Sequence, residues 1–301
     1  MNQILRTPDE CFNTLADFEY EPRYVSQLSG YEGLRVHYLD EGPVDGKVFF
    51  CIHGQPTWSY LYRKMIPVFT KNGYRVIAPD LVGFGRTDKP VDDREYTFEF
   101  HRKMLVSFLS WQKLKNITLV CQDWGGILGL TLPMEFPDQF KGLIVMNTDL
   151  GTGDYPLSEG FLAWRAWAAK NPDMDVGRLM SRSCPHLSAG EVKSYAAPFP
   201  DVRYKAGVRR FPQLVPEFLD SPGAEISRAS RDFLSNEWKG KSFMAIGMKD
   251  PVLGPEVMKK LRQVIRGCPI PMEINSAGHF VQEWGEDVAA KAIDYFTATM
   301  D

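Results

Sequence analysis

A carboxylate can serve as a nucleophile when it stands clear of the backbone, stays ionised and has a base at hand to undo the ester it forms. The run Gln122-Asp123-Trp124-Gly125-Gly126 offers such a group. It joins the apolar stretch Ile117–Cys121 to a helix-like segment, which puts Asp123 on a sharp strand-to-helix turn, and small neighbours at Cys121 and Gly125 let that turn close. There the helix dipole and unused N–H groups favour a negative charge. An Asp just before a helix is more commonly only its N-cap, so the assignment depends on partners elsewhere in the chain.

A base is the first requirement, and the chain has five histidines. In folds built on such a turn the nucleophile is followed along the chain by an acid and then a histidine. That order selects His279, in Ser276-Ala277-Gly278-His279-Phe280 after the last strand-like run. His37 in an edge strand, His53 in a loop, His101 on an early helix and His186 in a central insertion are expected to fill satisfied structural roles. For the acid that orients the imidazole, Asp250 in Met248-Lys249-Asp250-Pro251 is preferred to Asp149, which stands beyond Asn147 and could serve to open the insertion. An ordinary turn before Pro251 is the plain alternative for Asp250. Upstream, His53-Gly54-Gln55-Pro56 follows the strand-like Val48–Ile52. The backbone N–H groups of Gln55 and Trp124 are assigned to an oxyanion hole, each donor worth about 3 kcal/mol. In isolation that string is a Gly-Pro surface turn.

These residues need a scaffold. Short apolar runs at Val48–Ile52, Arg75–Ala78, Ile117–Cys121, Leu143–Met146, Ser242–Gly247 and Met272–Ile274 alternate with amphipathic stretches such as His101–Leu114 and Gly125–Phe136. Continuous apolar strands are buried on both faces, so the pattern predicts a mainly parallel sheet between helical layers, with Tyr24–Leu28 and Leu34–Leu39 as an antiparallel edge. The strand rhythm stops after Met146 and resumes at Ser242, across residues rich in Trp, Tyr, Pro, Arg and helix formers. Residues 149–222 are read as a helical cap inserted into a core of residues 1–148 and 223–301. A cap over the strand ends excludes water and supplies apolar walls.

Composition narrows the classes of function. With 301 residues, 44% hydrophobic and 24% charged, the chain suits one large globular unit carrying an insertion. Its net charge is -3 and its Lys and Arg are dispersed, so the basic stripe that nucleic acid demands is missing. Met1 to Glu10 lacks the apolar stretch of a secretory signal, and no run is long enough to cross a bilayer, which points to the cytoplasm. The five cysteines contain no C-x-x-C pair and are expected to be free thiols, with neither disulfide nor zinc. Asn116-Ile117-Thr118 matches a glycosylation sequon at the head of a buried strand and is taken as chance.

Taken in order, Val120-Cys121-Gln122-Asp123-Trp124-Gly125-Gly126, Gly160-Phe161-Leu162-Ala163-Trp164, Ala206-Gly207-Val208-Arg209-Arg210-Phe211-Pro212 and Ala245-Ile246-Gly247-Met248-Lys249-Asp250 resemble the haloalkane dehalogenase family of the α/β-hydrolase superfamily. The likeness is to the subfamily whose acid follows the later strand and whose second halide ligand comes from the cap, and it covers nearly the whole chain. It implies an α/β-hydrolase fold, a mostly parallel eight-stranded sheet flanked by helices with an inserted helical cap. The implied activity is hydrolysis of carbon-halogen bonds in short haloalkanes through an alkyl ester on Asp123, which water activated by His279 then cleaves. The indole N–H groups of Trp124 and Trp164 are implied to hold the departing halide, with Trp167, about one helical turn from Trp164, as the rival. Neutral donors in a dry pocket suit this task, because they stabilise the anion without gripping the product as a cation would.

By the same resemblance Ile127, Phe161, Phe211, Pro212, Val215 and Leu253 line an apolar pocket, although each is equally explicable as core. No metal or cofactor is expected, and the partners are a haloalkane, water and halide, with no nucleic acid and no membrane. A monomer is expected. Because protonated His279 could not activate water, activity should fall on the acidic side of its titration.

Two other readings compete. An epoxide hydrolase resembles this chain in its Asp elbow and His-Gly-x-Pro loop, but it needs cap tyrosines to protonate an oxygen that stays attached. The comparable segment here offers Phe211, with Tyr155, Tyr195 and Tyr204 elsewhere in the insertion. A non-catalytic binder of small apolar ligands has no use for a retained nucleophile, base and acid.

Overall fold

The computed structural model describes residues 3–298. Met1 and Asn2, at the start read as free of a secretory signal, and residues 299–301, at the end of the second core segment, lie outside the described residues. Eight strands form one sheet: β1 (Arg23–Val25), β2 (Val36–Glu41), β3 (Val48–Ile52), β4 (Arg75–Pro79), β5 (Ile117–Cys121), β6 (Phe140–Met146), β7 (Lys241–Gly247) and β8 (Met272–Ile274). Their spatial order is β8-β7-β6-β5-β3-β4-β2-β1. From β4 to β8 every pairing is parallel, whereas β2 runs antiparallel to both β1 and β4. β3 is buried at every position, as its unbroken Val-Phe-Phe-Cys-Ile requires of a strand covered on both faces.

Register sets the position of the site. Ile52 lies opposite Cys121, Cys121 opposite Val145, Met146 opposite Ala245 and Gly247 opposite Ile274. The carboxyl ends of β3, β5, β6, β7 and β8 therefore finish side by side, and the segments beginning at His53, Gln122, Asn147 and Met248 all emerge along that one edge. Ligands collect at such an edge in open α/β sheets.

The helices are α1 (Ile66–Lys71), α2 (Phe98–Gln112), α3 (Trp124–Gly129), α4 (Leu132–Glu135), α5 (Glu159–Lys170), α6 (Val176–Ser183), α7 (Ala189–Ala196), α8 (Ala206–Leu214), α9 (Ala224–Asn236), α10 (Pro255–Val264) and α11 (Gly285–Ala298). Thr97 starts α2 by accepting the Phe100 N–H, and Lys113 ends it in the left-handed conformation. Gly125–Phe136, expected as a single helix, is broken into α3 and α4. Pro133 has no N–H to give the Gly129 carbonyl, so the ladder fails there. α5 to α8 fall within the stretch expected to be helical, α5 opening on Ser158 as N-cap and α7 on a capping box of Ser188 and Glu191.

Arg63, which precedes α1, ties these layers together. Its buried guanidinium donates to both Glu283 oxygens at 2.7 and 2.8 Å, to Glu191 at the start of α7 at 2.5 Å and to the Tyr195 hydroxyl at 3.1 Å. Tyr195 in turn donates to Glu283. Burial alone would raise the Glu283 carboxyl, but Arg63 outweighs it and holds the group below the usual range.

Candidate active site

Asp123 occupies the turn between β5 and α3 with φ 52° and ψ -130°. That conformation is rare for a residue with a side chain and stores strain of roughly 1–3 kcal/mol. Close packing on every side maintains it. A Cβ on Gly125 would sit 1.9 Å from the Ile52 carbonyl oxygen, and one on Gly126 would sit 2.0 Å from Thr148 Oγ1, so β3 and the segment after β6 press directly on the start of the helix. The Asp123 N–H donates to the Asn147 carbonyl at 3.0 Å, and Thr148 Oγ1 donates to the Asp123 carbonyl at 2.7 Å. The carboxylate makes no capping bond to its own helix. It is turned outward instead, where Oδ1 accepts the Gln55 N–H at 2.7 Å and Oδ2 lies 3.5 Å from His279 Nε2.

Of the two oxyanion donors expected, Gln55 reaches this carboxylate, while the Trp124 amide makes no hydrogen bond to it. A donor aimed at the oxyanion need not meet the resting carboxylate, since the two oxygens occupy different positions. Gly54 is required for the first contact, because a Cβ there would stand 2.2 Å from Asp123 Oδ1.

His279, whose side chain keeps 18% of its surface exposed, faces Asp123 with Nε2 and gives Nδ1 to Asp250 Oδ2 at 2.8 Å. Asp250 is buried and surrounded by donors: Asn147 Nδ2 reaches Oδ2 at 2.9 Å and the Val252 N–H reaches Oδ1 at 2.8 Å. Burial would raise its carboxyl, but His279 and these hydrogen bonds carry it down to about 2. Asp149, the rival acid, has no contact with His279. Burial raises its carboxyl to about 6, and Oδ1 accepts the neighbouring Leu150 N–H.

Opposing influences act on the imidazole. Burial lowers its pKa, and the two carboxylates outweigh that and raise it to about 10. Gln122 acts against protonation. Its Nε2 donates to the His279 carbonyl at 3.1 Å, which fixes the amide's orientation, and the same nitrogen lies 2.8 Å from His279 Nε2. A donor facing Nε2 suits a lone pair there, hence the neutral ring with its proton on Nδ1. Gln122 and Asn147 were not singled out in the sequence. Their positions, one residue beyond β5 and one beyond β6, carry the signal that could have found them.

Among the described residues none of the other histidines hydrogen-bonds to Asp123. His53, neutral through burial, accepts the Leu81 N–H and donates to the Gly54 carbonyl. His37 pairs with buried Asp80. His101 departs from the satisfied role expected: among the described residues neither ring nitrogen has a partner, burial lowers its pKa to about 3, and the ring packs edge-on against Phe211. His186 lies against Trp284 beside the cavity described next.

Asp123, Gln55, Asp250 and His279 open on a cavity of about 1090 Å³. Trp124, Trp164 and Trp167 all contribute to its wall, as do Phe161 and Pro212. Trp124 is buried, Trp164 is half-buried, and Trp167 stacks on Trp164 with 41% of its surface exposed. Four residues expected in the wall are not there. Phe211 is fully buried one layer behind, with its ring centroid 4.8 Å from that of Trp124, because α8 turns Pro212 to the cavity and Phe211 to the core. Ile127 is buried in α3, Val215 packs against the core cluster, and Leu253 is half-buried beyond Asp250. Among the described residues no tyrosine lines the cavity: Tyr195 is taken up by Arg63 and Glu283, and Tyr155 is exposed.

Comparison with known proteins places this geometry. The family model of the alpha/beta hydrolase fold matches residues 47–286. A haloalkane dehalogenase of Psychrobacter cryohalolentis is 44% identical over 97% of this chain and 98% of its own, and one of Mycolicibacterium paratuberculosis is 39% identical over 99% of each. The solved structure of a tetrameric haloalkane dehalogenase from Paraglaciecola agarilytica is 52% identical, covers 99% of this chain and 100% of its own, and superposes with a TM-score of 0.97. With the fold, the outward carboxylate and relatives spanning nearly its full length in agreement, the chain belongs to the haloalkane dehalogenase family of the alpha/beta hydrolases.

Proposed function

We propose that the chain hydrolyses short haloalkanes to alcohol and halide through an alkyl ester on Asp123. One observation carries the reading: the Asp123 carboxylate, free of its own helix, is held between Gln55 N and His279 Nε2 at the wall of a cavity that Trp124 and Trp164 also line. A carboxylate oxygen attacks the halogenated carbon, and the carbon-halogen electron pair leaves with the halide towards Trp124 and Trp164. Water then adds to the carboxyl carbon and gives a proton to His279 Nε2. Collapse expels the alkoxide, which takes that proton back to become the alcohol. The regenerated carboxyl, now carrying one oxygen from water, loses its proton to the medium.

The electrostatics suit this sequence of events. Esterification removes the charge nearest Nε2, which withdraws one of the two carboxylates that raise the imidazole. His279 thus becomes a competent base when the ester needs it. We expect kcat, which includes ester hydrolysis, to fall with acidification through a titration lying below the resting value of about 10. In contrast, kcat/KM ends at irreversible halide loss and should lack that limb. Paired pH profiles test this, and an identical limb in both would move His279 to the first step.

Residues 149–222 act as the cap in this reading, closing the site with α5, α6 and α8. Trp164 is preferred to Trp167 as the cap's halide donor because the latter is more open to solvent. Trp164→Phe should weaken halide binding roughly tenfold or more, the worth of one hydrogen bond to an anion, while Trp167→Phe leaves it nearly unchanged. Quenching of tryptophan fluorescence by bromide distinguishes the two, and the opposite ranking would exchange their roles. The cavity is larger than a two- to four-carbon chain fills, so longer haloalkanes fit as well.

Bromide and diol measurements with 1-bromobutane, 1,2-dibromoethane and styrene oxide test the proposal directly. Bromide without diol supports it; diol without bromide favours an epoxide hydrolase, which the tyrosine-free wall already disfavours; neither product leaves a binder. On assembly, the tetrameric relative favours an oligomer over the expected monomer, and exposed Phe218 and Leu219, packed against Gly153 near exposed Tyr155, offer an apolar contact. Light scattering on the eluting protein decides this. The cytoplasm is favoured by five free thiols, and among the described residues no helix is long and apolar enough to cross a membrane.

A further inference from the structure

In an α-helix the N–H of residue 212 would close on the carbonyl of Val208, four residues back. Residue 212 is a proline inside α8, so the bond cannot form, and a proline ring crowds the carbonyl it fails to bond. A buried carbonyl in that position needs another donor. The Gln55 side chain supplies it, with Nε2 2.9 Å from Val208 O and both residues buried. Gln55 is also the residue whose backbone N–H holds Asp123 Oδ1 at 2.7 Å. A single residue is therefore fastened at both ends, by its main chain to the nucleophile and by its side chain to the inserted helix whose Pro212 lines the cavity.

We propose that the Gln55 side chain is a positioning residue that gears α8 to the oxyanion donor, with Pro212 keeping the Val208 carbonyl free to receive it. The inference rests on the ester chemistry proposed above. In the first half of that chemistry, Asp123 loses negative charge, so an N–H on its oxygen gives the transition state no help. In the second half an oxyanion develops on the same carboxyl group, and a donor misplaced by a fraction of an ångström forfeits much of its effect. A loosened Gln55 should slow ester hydrolysis and spare halide release. A residue that mattered only for folding would slow both.

The test uses the full chain and its Gln55→Met, Pro212→Ala and doubly substituted forms. Rapid quenching after mixing with 1-bromobutane gives two readings: halide released in the first turnover, and decay of the alkyl-enzyme followed by intact mass. Gln55→Met should keep its halide burst and slow ester decay about tenfold, the worth of one hydrogen bond. Pro212→Ala restores a helix N–H that competes for Val208 O, so it should slow decay in the same direction although it adds a helix bond. In the double variant Gln55→Met should cost far less than it does alone. Effects that simply multiply, or equal slowing of halide release and ester decay by Gln55→Met, would overturn the coupling. Absence of any alkyl-enzyme in His279→Phe would instead sink the ester mechanism, so the two failures are told apart.

Discussion

His279→Phe should convert the enzyme into one that releases about one bromide per site and then stalls, with turnover falling by roughly 10²–10⁴-fold, the usual contribution of a general base. The phenyl ring keeps an aromatic body against Phe280, whose ring centroid lies 4.9 Å from that of His279. It has no nitrogen to accept a proton from water. Asp123 retains the Gln55 N–H and can still be alkylated. Mass spectrometry of the peptide containing Asp123 should therefore show one alkyl group for each bromide released. A folded variant that carries no adduct would count decisively against covalent catalysis.

Asp250→Asn is expected to cost about 10³–10⁴-fold in kcat, comparable with the loss when the acid of another His-centred triad is amidated. The reason is local. Asn147 Nδ2, the Val252 N–H and His279 Nδ1 all donate to this carboxylate, leaving no acceptor to meet an amide NH₂. Placed at the Oδ1 position, the amide opposes the Val252 N–H; placed at Oδ2, it donates into the ring and drives the histidine proton to Nε2. Either arrangement spoils the base. Asp149→Asn, lacking any contact with His279, should leave kcat little changed. A larger loss at Asp149 than at Asp250 would reassign the acid.

The meeting of Asp123, His279 and Asp250 was legible because each follows a strand end where residue type and chain order agree. Asp123, Asp250 and His279 needed no knowledge of packing, only the succession of strands β5, β7 and β8. Strand ends were less clear: β6 begins at Phe140, three residues before the apolar run, because exposed Lys141 and the side-chain-free Gly142, which is buried, interrupt the pattern. Pocket residues were harder still. Phe211 and Pro212 are adjacent, yet one faces the core and the other the cavity, and that distinction depends on the rotation of α8 about its own axis. Gln122, Asn147 and the Gln55 side chain act through polar contacts over long sequence separations, which periodicity does not encode. Arg63 is likewise one arginine among many until its three partners are seen around it.

That last cluster bears on how the molecule comes apart. One guanidinium binds Glu191 and Tyr195, on α7, together with Glu283, four residues beyond His279. Stripping α7 away would leave the Arg63–Glu283 pair intact but remove the guanidinium's other two partners, a loss of roughly 1.5–3 kcal/mol for each hydrogen bond to a charged group. Calorimetry should accordingly show a single endotherm in which α7 and the sheet melt as one body, and Arg63→Met should split it into two.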